Sequence, residues 1–401
     1  MPRIIAVPLA SKLHKKKYWK RVLKDLSQIM KEENIPVTDV EYSYPFKSTV
    51  FMDDFIILIH LTGGTSKLAK KIIERLKYPA LLLSHSRHNS LASALSVREK
   101  YPEKAKICLL TKTISSRRKL QNEIKALRVV NSLFERKIVA FNVTEKTDEA
   151  LKFESVFDSR IVPVSLNDIE RRLKRVNRQV AEKIVSERLP KFKGDGDVIK
   201  AVKLYLALKK IIAESKATAA TMNCFEYIMK KGISPCIPLA LLNDDGIPTS
   251  CEEDYSSLVG LIIGRELSSS PCWMANLTEA EGYKIVFSHC TAPLTMLKEH
   301  RKVTHFETDR PLTITGKMNI PKLVTFFRIN REFNEISCGL GTVIDSGMID
   351  EKQCRIQLHL KAYNEIDENT FYGNHHIIVP GKHVKLIRSV AFFLRCRFHE
   401  I

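Results

Sequence analysis

Short apolar runs alternate with charged amphipathic segments along residues 1–165. Six runs rich in β-branched and other apolar residues indicate strands. They read RIIAVPL, FIILIHL, PALLLSH, KICLLT, KIVAFNV and RIVPV. Between them, segments such as YWKRVLKDLSQIMKEE and SKLAKKIIERLKY carry apolar residues at helical spacing. Alternating strands and helices are typical of a parallel sheet covered by helices, so this part predicts a basic N-terminal α/β domain.

The pattern changes twice further along the chain. Residues 166–232 read as helices interrupted at LPKFKGDGD, whereas mixed α and β character begins at Ser234. The runs KLVTFFRI, CRIQLHLKAY and HHIIVPG, separated by Gly and Pro, predict an antiparallel β region. A chain of 401 residues is long for one core. We predict a division into 1–165, a second α/β domain 166–295 and a β-rich domain 296–401.

Composition favours an ordinary globular protein, with 44% hydrophobic and 27% charged residues. No apolar run approaches the roughly 18–20 residues that a membrane helix needs. The first residues place apolar positions before charges, the reverse of a secretory signal, so a cytoplasmic location is expected. Nine widely scattered cysteines without a CxxC pair indicate reduced, buried thiols.

The positive charge is concentrated in the first half of the chain. Residues 1–200 carry 41 Lys and Arg against 23 Asp and Glu, a net +18, whereas residues 201–401 carry 24 against 22. One interpretation is a set of solvated helix faces. The other is a surface for RNA or another polyanion, although few aromatic residues accompany the basic runs.

Candidate metal ligands cluster between Ser234 and Cys290. Glu252, Glu253 and Asp254 precede the apolar helical pattern SLVGLIIGREL, where acidic side chains favour a helix start. Asn276 lies in the next extended run, and His289 closes the short run KIVFSH. Carboxylate, amide and imidazole groups at the ends of neighbouring elements suit Mn²⁺ or a similar divalent ion better than a closed structural zinc site.

Two later segments add further candidates. His375 and His376 precede a strand in FYGNHHIIVPG, so one side chain points inward and the other outward. The segment HFETDR contributes His305 and Glu307 as an acid–base pair.

Two turns in the first α/β region supply the remaining candidate site residues. LTGGTS comes directly after a strand, at the edge where parallel sheets bind ligands, which makes Thr62 a candidate for substrate binding. SHSRHNSLASALSVREK opens a helix with Asn89 or Ser90 as its N-cap.

Six segments, in order, resemble motifs of the L-fucose/L-arabinose isomerase superfamily. They are ILIHLTGGTSKL, LLLSHSRHNSLASALSVR, SPCIPLALLNDDGIPTSCEED, FSHCTAPL, HFETDRPLTITGKMNIPKLVTFFRI and GNHHIIVPG. The resemblance implies two Rossmann-like α/β domains followed by a C-terminal β-rich, antiparallel barrel-like domain. It also implies a small sugar as substrate and a homo-oligomer, either a trimer or a hexamer.

The resemblance also implies residue roles where the motifs match. Glu252 matches an acidic metal ligand that also takes part in proton transfer, and Asn276 falls where fucose isomerases carry an aspartate. His289 and His375 match histidines that complete a shell for Mn²⁺ or another divalent ion. His376 is the alternative to His375. Thr62, Asn89 and His305 are then expected to bind substrate.

The implied reaction is aldose–ketose isomerisation through an enediol. Asn276 has no charge and accepts no proton at neutral pH. The proton shuttle therefore rests on Glu252 alone or with Glu307, Glu253 or Asp254. The alternative function is a non-catalytic isomerase-fold protein whose basic N-terminal half binds RNA, the ribosome or another polyanion.

Overall fold

The computed structural model describes residues 2–44 and 53–401. The strands are β1 (Ile4–Leu9), β2 (Phe55–His60), β3 (Ala80–His85), β4 (Ala105–Leu110), β5 (Lys137–Phe141), β6 (Arg160–Val164), β7 (Ala219–Met222), β8 (Thr249–Ser250), β9 (Trp273–His289), β10 (Leu297–Val303), β11 (Thr313–Met318), β12 (Leu323–Ile329), β13 (Glu335–Gly347), β14 (Ile356–Ile366), β15 (His375–Pro380) and β16 (Arg397–Glu400). The helices are α1 (Lys16–Glu32), α2 (Ser66–Arg75), α3 (Ser90–Lys100), α4 (Ile114–Asn131), α5 (Asp148–Phe157), α6 (Leu166–Leu173), α7 (Arg178–Arg188), α8 (Gly196–Glu214), α9 (Cys224–Lys231), α10 (Cys236–Asp244), α11 (Tyr255–Ser268) and α12 (Val384–Leu394).

Contacts divide the chain into two compact units. The first comprises Met1–Phe134 and Lys385–Arg397, and the second comprises Glu135–Val384 and Phe398–Ile401. In the first unit, β1 to β4 form a parallel sheet in sequence order. Lys106 on β4 donates to Ser389 at 2.7 Å and pairs with Glu123 at 3.3 Å, which ties α12 and α4 to this sheet.

The second unit begins with another parallel sheet, in the order β6-β5-β7-β8. β5 is fully apolar after its first residue and buried there, as expected for a strand covered on both faces. The helices α5 to α11 lie between or after these strands in the sequence.

An antiparallel barrel comes next in the same unit. Its strands run in the order β12-β15-β9-β14-β13-β16, and pairing between β12 and β13 closes it. Its interior is apolar, with Trp273, Phe287 and Phe326 among the fully buried side chains. Gly260 and Gly264 of α11 lie against Ile377 and Val379 of β15, so this helix packs directly on the barrel wall.

The long segment β9 folds back on itself. Thr278 Oγ1 donates to Val286 O at 3.1 Å, and Trp273 Nε1 donates to Thr291 O at 2.8 Å. Eight residues of straight strand would separate such groups by about 27 Å. The first half of β9 pairs with β15 and the second half with β14, so the two runs that contain Asn276 and His289 lie side by side.

Much of the predicted architecture is confirmed. All six N-terminal runs are strands of parallel sheets, and the C-terminal region is an antiparallel barrel. β5 and β6 lie within the predicted domain 1–165 but pair in the second sheet with β7 and β8. The chain therefore changes sheet near residue 135, and the division into three domains stays a prediction.

Two local predictions differ in detail. Asn89 stands at the N-cap position of α3 with φ 53°, but its side chain makes no capping bond. Instead, the Ser90 hydroxyl accepts from His85 N at 3.1 Å. The helical run after residue 166 breaks before Arg178, where the Asn177 side chain caps α7 by accepting from Gln179 N at 2.7 Å.

Within the described residues, no helix combines the length and the apolar character that crossing a membrane requires.

The contact between α11 and β15 predicts a sensitive position. A Cβ at Gly260 would lie 2.5 Å from Ile377 Cγ1, whereas a Cβ at Gly196 in α8 would meet no atom within 4 Å. We expect Gly260→Ala to lower the free energy of unfolding by about 1–3 kcal/mol through overpacking. Gly196→Ala is the matched control and should change it by less than about 1 kcal/mol. Urea denaturation measures both, and equal midpoints would contradict the close approach.

Candidate metal centre

The turn between β8 and α11 presents the acidic cluster. Glu252 and Glu253 both adopt left-handed backbone, with φ 58° and 54°. Non-glycine residues there cost about 1 kcal/mol each, and the capped start of α11 offsets that cost. Asp254 caps α11, and its Oδ1 accepts from Ser257 N at 2.7 Å. The prediction that this cluster opens a helix is confirmed.

The two halves of the barrel wall supply the histidines. His375 is the first residue of β15 and lies opposite Asn276 on β9. His289 is the last residue of β9 and lies opposite Ile356 on β14. Because β9 folds back, the two imidazole rings come together, with centroids 5.4 Å apart. Both side chains are buried.

Glu252, His289 and His375 converge on one point. Glu252 Oε1 lies 3.5 Å from His375 Nε2 and 3.9 Å from His289 Nε2. One potential ligand atom from each residue lies within 4.8 Å of the other two. We call these three residues the Glu/His/His cluster. A carboxylate and two imidazoles form a mixed ligand set that leaves positions open for substrate oxygens.

His375 is prepared for a ligand role by its surroundings. Its Nδ1 is held by Asp254 Oδ2 at 2.9 Å, while its buried Nε2 has no hydrogen-bond partner. Metal-binding histidines are typically oriented in this way, by a carboxylate on the far ring nitrogen. The unpartnered nitrogen faces Glu252, so the ring fits a cation bound between the two.

Asp254 is itself fixed by a polar network. Its two oxygens accept from the hydroxyls of Ser256 and Ser257 at 2.7 and 2.8 Å, and Arg328 Nη1 lies 3.7 Å away. Burial alone would raise the pKa of Asp254. The bond from His375 and the charge of Arg328 overcome that effect and hold the pKa well below its usual value.

The charges of the cluster set the protonation of its members. Burial lowers the pKa of His375, but the hydrogen bond to Asp254 and the negative charge of Glu252, 3.5 Å from Nε2, outweigh it and raise the pKa to about 9. Burial raises the pKa of Glu252, and His375 then lowers it below the ordinary value. Burial lowers the pKa of His289 to about 4. At neutral pH, without a cation, Glu252 is ionised, His375 is protonated and His289 is neutral.

His289 needs one change to become a ligand. Thr291 N donates to its Nδ1 at 3.2 Å, so the hydrogen of the neutral ring is on Nε2, facing Glu252. A cation bound at Nε2 requires the other tautomer and the loss of the Thr291 bond. In the tautomer of this structure, His289 is a hydrogen-bond donor towards the cluster.

The other predicted residues of this unit differ in how they are connected to the Glu/His/His cluster. Asn276 is directly opposite His375 in the strand pairing, and its Oδ1 accepts from Asn374 at 3.1 Å. His305 is buried against Phe225, with a ring distance of 5.8 Å. Burial lowers the pKa of His305 and raises that of Glu307, and the charge of Glu252 raises both. Their catalytic and substrate-binding roles stay predictions.

Thr62 and Asn89 belong to the first unit. Thr62 is buried, and its hydroxyl accepts from Ser11 N at 2.9 Å. Asn89 is exposed just before α3. Their predicted part in substrate binding also stays a prediction.

His376, the alternative to His375, points the other way. Its ring lies 5.6 Å from Phe287 and 5.2 Å from Phe371, on the apolar side of the barrel wall. Burial lowers its pKa to about 3. The strand alternation therefore selects His375 for the cluster.

The sequence did not assign the supporting groups Asp254 and Arg328. Asp254 stood in the acidic cluster as an alternative acid, and its N-cap position was the signal for a structural role. Arg328 lies inside the apolar run KLVTFFRI, and a buried charge requires a partner. All nine cysteines are free and buried, as predicted.

Comparison with known proteins gives one partial similarity. No family model matches the chain. Sulfoquinovose isomerases of Priestia aryabhattai and Priestia megaterium are each 30% identical over 104 residues, covering 25% of this chain and 23% of the relative. The chain thus spans less than a quarter of the length of these curated relatives. The similarity is to a sugar isomerase, in agreement with the motifs read from the sequence.

The raised pKa of His375 predicts how the metal-free protein responds to pH. A histidine with a folded-state pKa of about 9 and an ordinary value of 6.5 stabilises the fold fully below about pH 6.5. That contribution is lost as the pH rises from about 6.5 to about 9. We therefore expect the melting temperature, measured with chelator present, to fall across this window. His375→Gln removes the titrating group and should flatten the fall, so parallel curves for the two proteins would contradict the assignment.

Proposed function

We propose that the protein is a divalent-metal-dependent isomerase that interconverts an aldose and a ketose. The observation that carries the proposal is the Glu/His/His cluster, with the buried Nε2 of His375 unpartnered and directed at Glu252. The similarity to sulfoquinovose isomerases supports the same reaction class. Mn²⁺ or a similar divalent ion is the proposed cofactor, bound by Glu252, His289 and His375, with Asn276 as a fourth, neutral ligand.

The reaction moves a proton between two neighbouring carbons of the sugar. A bound divalent ion supplies polarisation of the carbonyl and of the adjacent hydroxyl oxygen. Glu252 is ionised at neutral pH and is the proposed base that removes the proton beside the carbonyl, giving an enediol.

Glu252 can return the same proton to the neighbouring carbon, and a second acid–base group moves the hydroxyl proton between the two oxygens of the enediol. Asn276 is unsuited because an amide neither gains nor loses a proton at neutral pH. Burial raises the pKa of Glu307, and the charge of Glu252 raises it further. A carboxyl group whose pKa is shifted towards neutrality is suited to both donating and accepting. We assign Glu307 this role and His305 a place beside the substrate.

The charge asymmetry favours one alternative function. The net +18 of residues 1–200 suits a non-catalytic protein on the same scaffold that binds RNA, the ribosome or another polyanion. Binding of that kind weakens steeply with salt. Sugar isomerisation does not require such a positively charged surface. A cytoplasmic location, expected from the order of apolar and charged residues at the start of the sequence, is a further part of the proposal. A trimeric or hexameric assembly is another, and it rests on the resemblance alone.

Activity is tested on the purified protein with Mn²⁺ and a panel of aldoses. Sulfoquinovose comes first, because the curated relatives act on it by name, and uncharged hexoses and pentoses are tested next. We expect a substrate whose conversion stops with chelator and returns with Mn²⁺. Glu252→Gln should lower kcat by about 10²–10⁴-fold. Glu253→Gln is the matched control and should retain activity. Equal loss in both variants, or conversion that survives metal removal, would contradict the proposal.

The amide at position 276 offers a second test. Asn276→Asp adds a carboxylate opposite His375 and should tighten Mn²⁺ binding about tenfold or more, because hard cations prefer charged oxygen ligands. Isothermal titration calorimetry measures the affinity. Asn319→Asp introduces the same charge at an exposed position of the same unit and should leave it unchanged. Identical affinities in both variants would remove Asn276 from the ligand set.

A further inference from the structure

A groove on the helical side of the second unit is separate from the Glu/His/His cluster. It lies between the α6–α7 connection, α7 and α8, and has a volume of about 350 Å³. Its floor is apolar and is formed by Val176, Val180, Leu206 and Ala213. Val180 is 48% exposed on this surface. We call this surface the α7–α8 groove.

The rim of the α7–α8 groove is cationic. Four long basic side chains line it: Arg172, Arg175, Lys209 and Lys210. Arg172 pairs with Glu214, and Lys209 pairs with Asp245 at 2.7 Å. Arg175 and Lys210 form no ion pair with any carboxylate in the described part of the chain. Two full positive charges therefore stand beside an apolar floor.

The residues that α8 contributes to the α7–α8 groove are spaced to contact a bound helix. Leu206, Lys209, Lys210 and Ala213 form one stripe of α8 at spacings of three and four residues. A groove between two helices that presents apolar positions and flanking charges is a typical site for an amphipathic helix. Acidic residues on the flanks of such a helix would face Arg175 and Lys210.

We propose that the α7–α8 groove binds an acidic amphipathic helix of a partner protein. Charge complementarity selects this occupant. A second copy of the chain placed symmetrically would bring the same cations opposite each other. Single-stranded RNA relies on aromatic stacking, and none of the described residues that line this groove is aromatic. A membrane surface requires protruding apolar residues rather than a concave floor. The inference does not depend on the proposed isomerase activity.

The probe is a fluorescein-labelled peptide of about 16 residues, long enough for four helical turns. It carries Leu at helical spacing and Glu on both flanks, and a scrambled peptide of equal composition is the control. Fluorescence anisotropy with the full chain should show saturable binding of the first peptide only. Binding should weaken at least about tenfold between about 50 and 300 mM salt, because exposed charges are screened.

Three variants locate the site. Val180→Glu places a carboxylate on the floor, and Arg175→Glu reverses one unpaired rim charge. Each should weaken binding about tenfold or more. The first places an unpaired carboxylate against the apolar face of the peptide, and the second opposes its acidic flank with a like charge. Lys200→Glu changes the net charge by the same amount as Arg175→Glu, on α8 but outside the groove, and should leave affinity within about twofold. Circular dichroism melts confirm that all three variants are folded.

Several results would overturn the proposal. They are equal binding of the scrambled peptide, equal affinity in Val180→Glu and Lys200→Glu, or no saturation. Self-association that Val180→Glu abolishes would assign the groove to a second copy. Selective loss of RNA or anionic-vesicle binding in Arg175→Glu, without peptide binding, would assign it to those partners instead.

Discussion

The hydrogen bond between Asp254 Oδ2 and His375 Nδ1, at 2.9 Å, joins the N-cap of α11 to the first residue of β15. It connects the end of the second parallel sheet to the wall of the barrel, within one unit. The bond fixes which nitrogen of His375 faces Glu252. Without this bond, the orientation of the His375 ring would not be fixed, and neither would the direction of its unpartnered Nε2. The second parallel sheet and the barrel would then meet without the Glu/His/His cluster between them.

The same bond explains why a buried polar cluster is compatible with a stable fold. Two carboxylates, Glu252 and Asp254, meet two positive groups, Arg328 and protonated His375. Unpaired charges in such a place would cost several kcal/mol. The proton on His375 provides the positive charge that the proposed cation would otherwise provide. The left-handed backbone of Glu252 and Glu253 is a local cost that the capped helix α11 offsets.

The sequence predicted individual strands and helices better than the contacts that bring them together. The apolar runs identified β1 to β6 and the start of α11 because buried parallel strands and capped helices have strong local patterns. Glu252, His289 and His375 were found by motif, and the structure brings them together. The choice between His375 and His376 was open by sequence, since it depends on which face of β15 points into the barrel.

Other features depended on contacts that no local sequence pattern specifies. Asp254 and Arg328 come together from positions more than seventy residues apart, and no local pattern specifies that pairing. The change of sheet near residue 135 depends on β5 pairing with β7 across about eighty residues, which periodicity does not report. The tautomer of His289 is set by the backbone amide of Thr291, two residues away. These features arise from contacts in the folded protein, which the pattern of apolar and polar residues along the sequence does not specify.

Pulsed electron paramagnetic resonance on Mn²⁺-loaded protein tests the central claim most directly, because it detects nitrogen atoms bound to the ion. The account predicts nitrogen couplings from histidine in the wild-type protein, their reduction in His375→Gln and in His289→Gln, and their retention in His376→Gln. A wild-type spectrum without histidine nitrogen, or one unchanged by His375→Gln, would contradict a metal centre built from Glu252, His289 and His375.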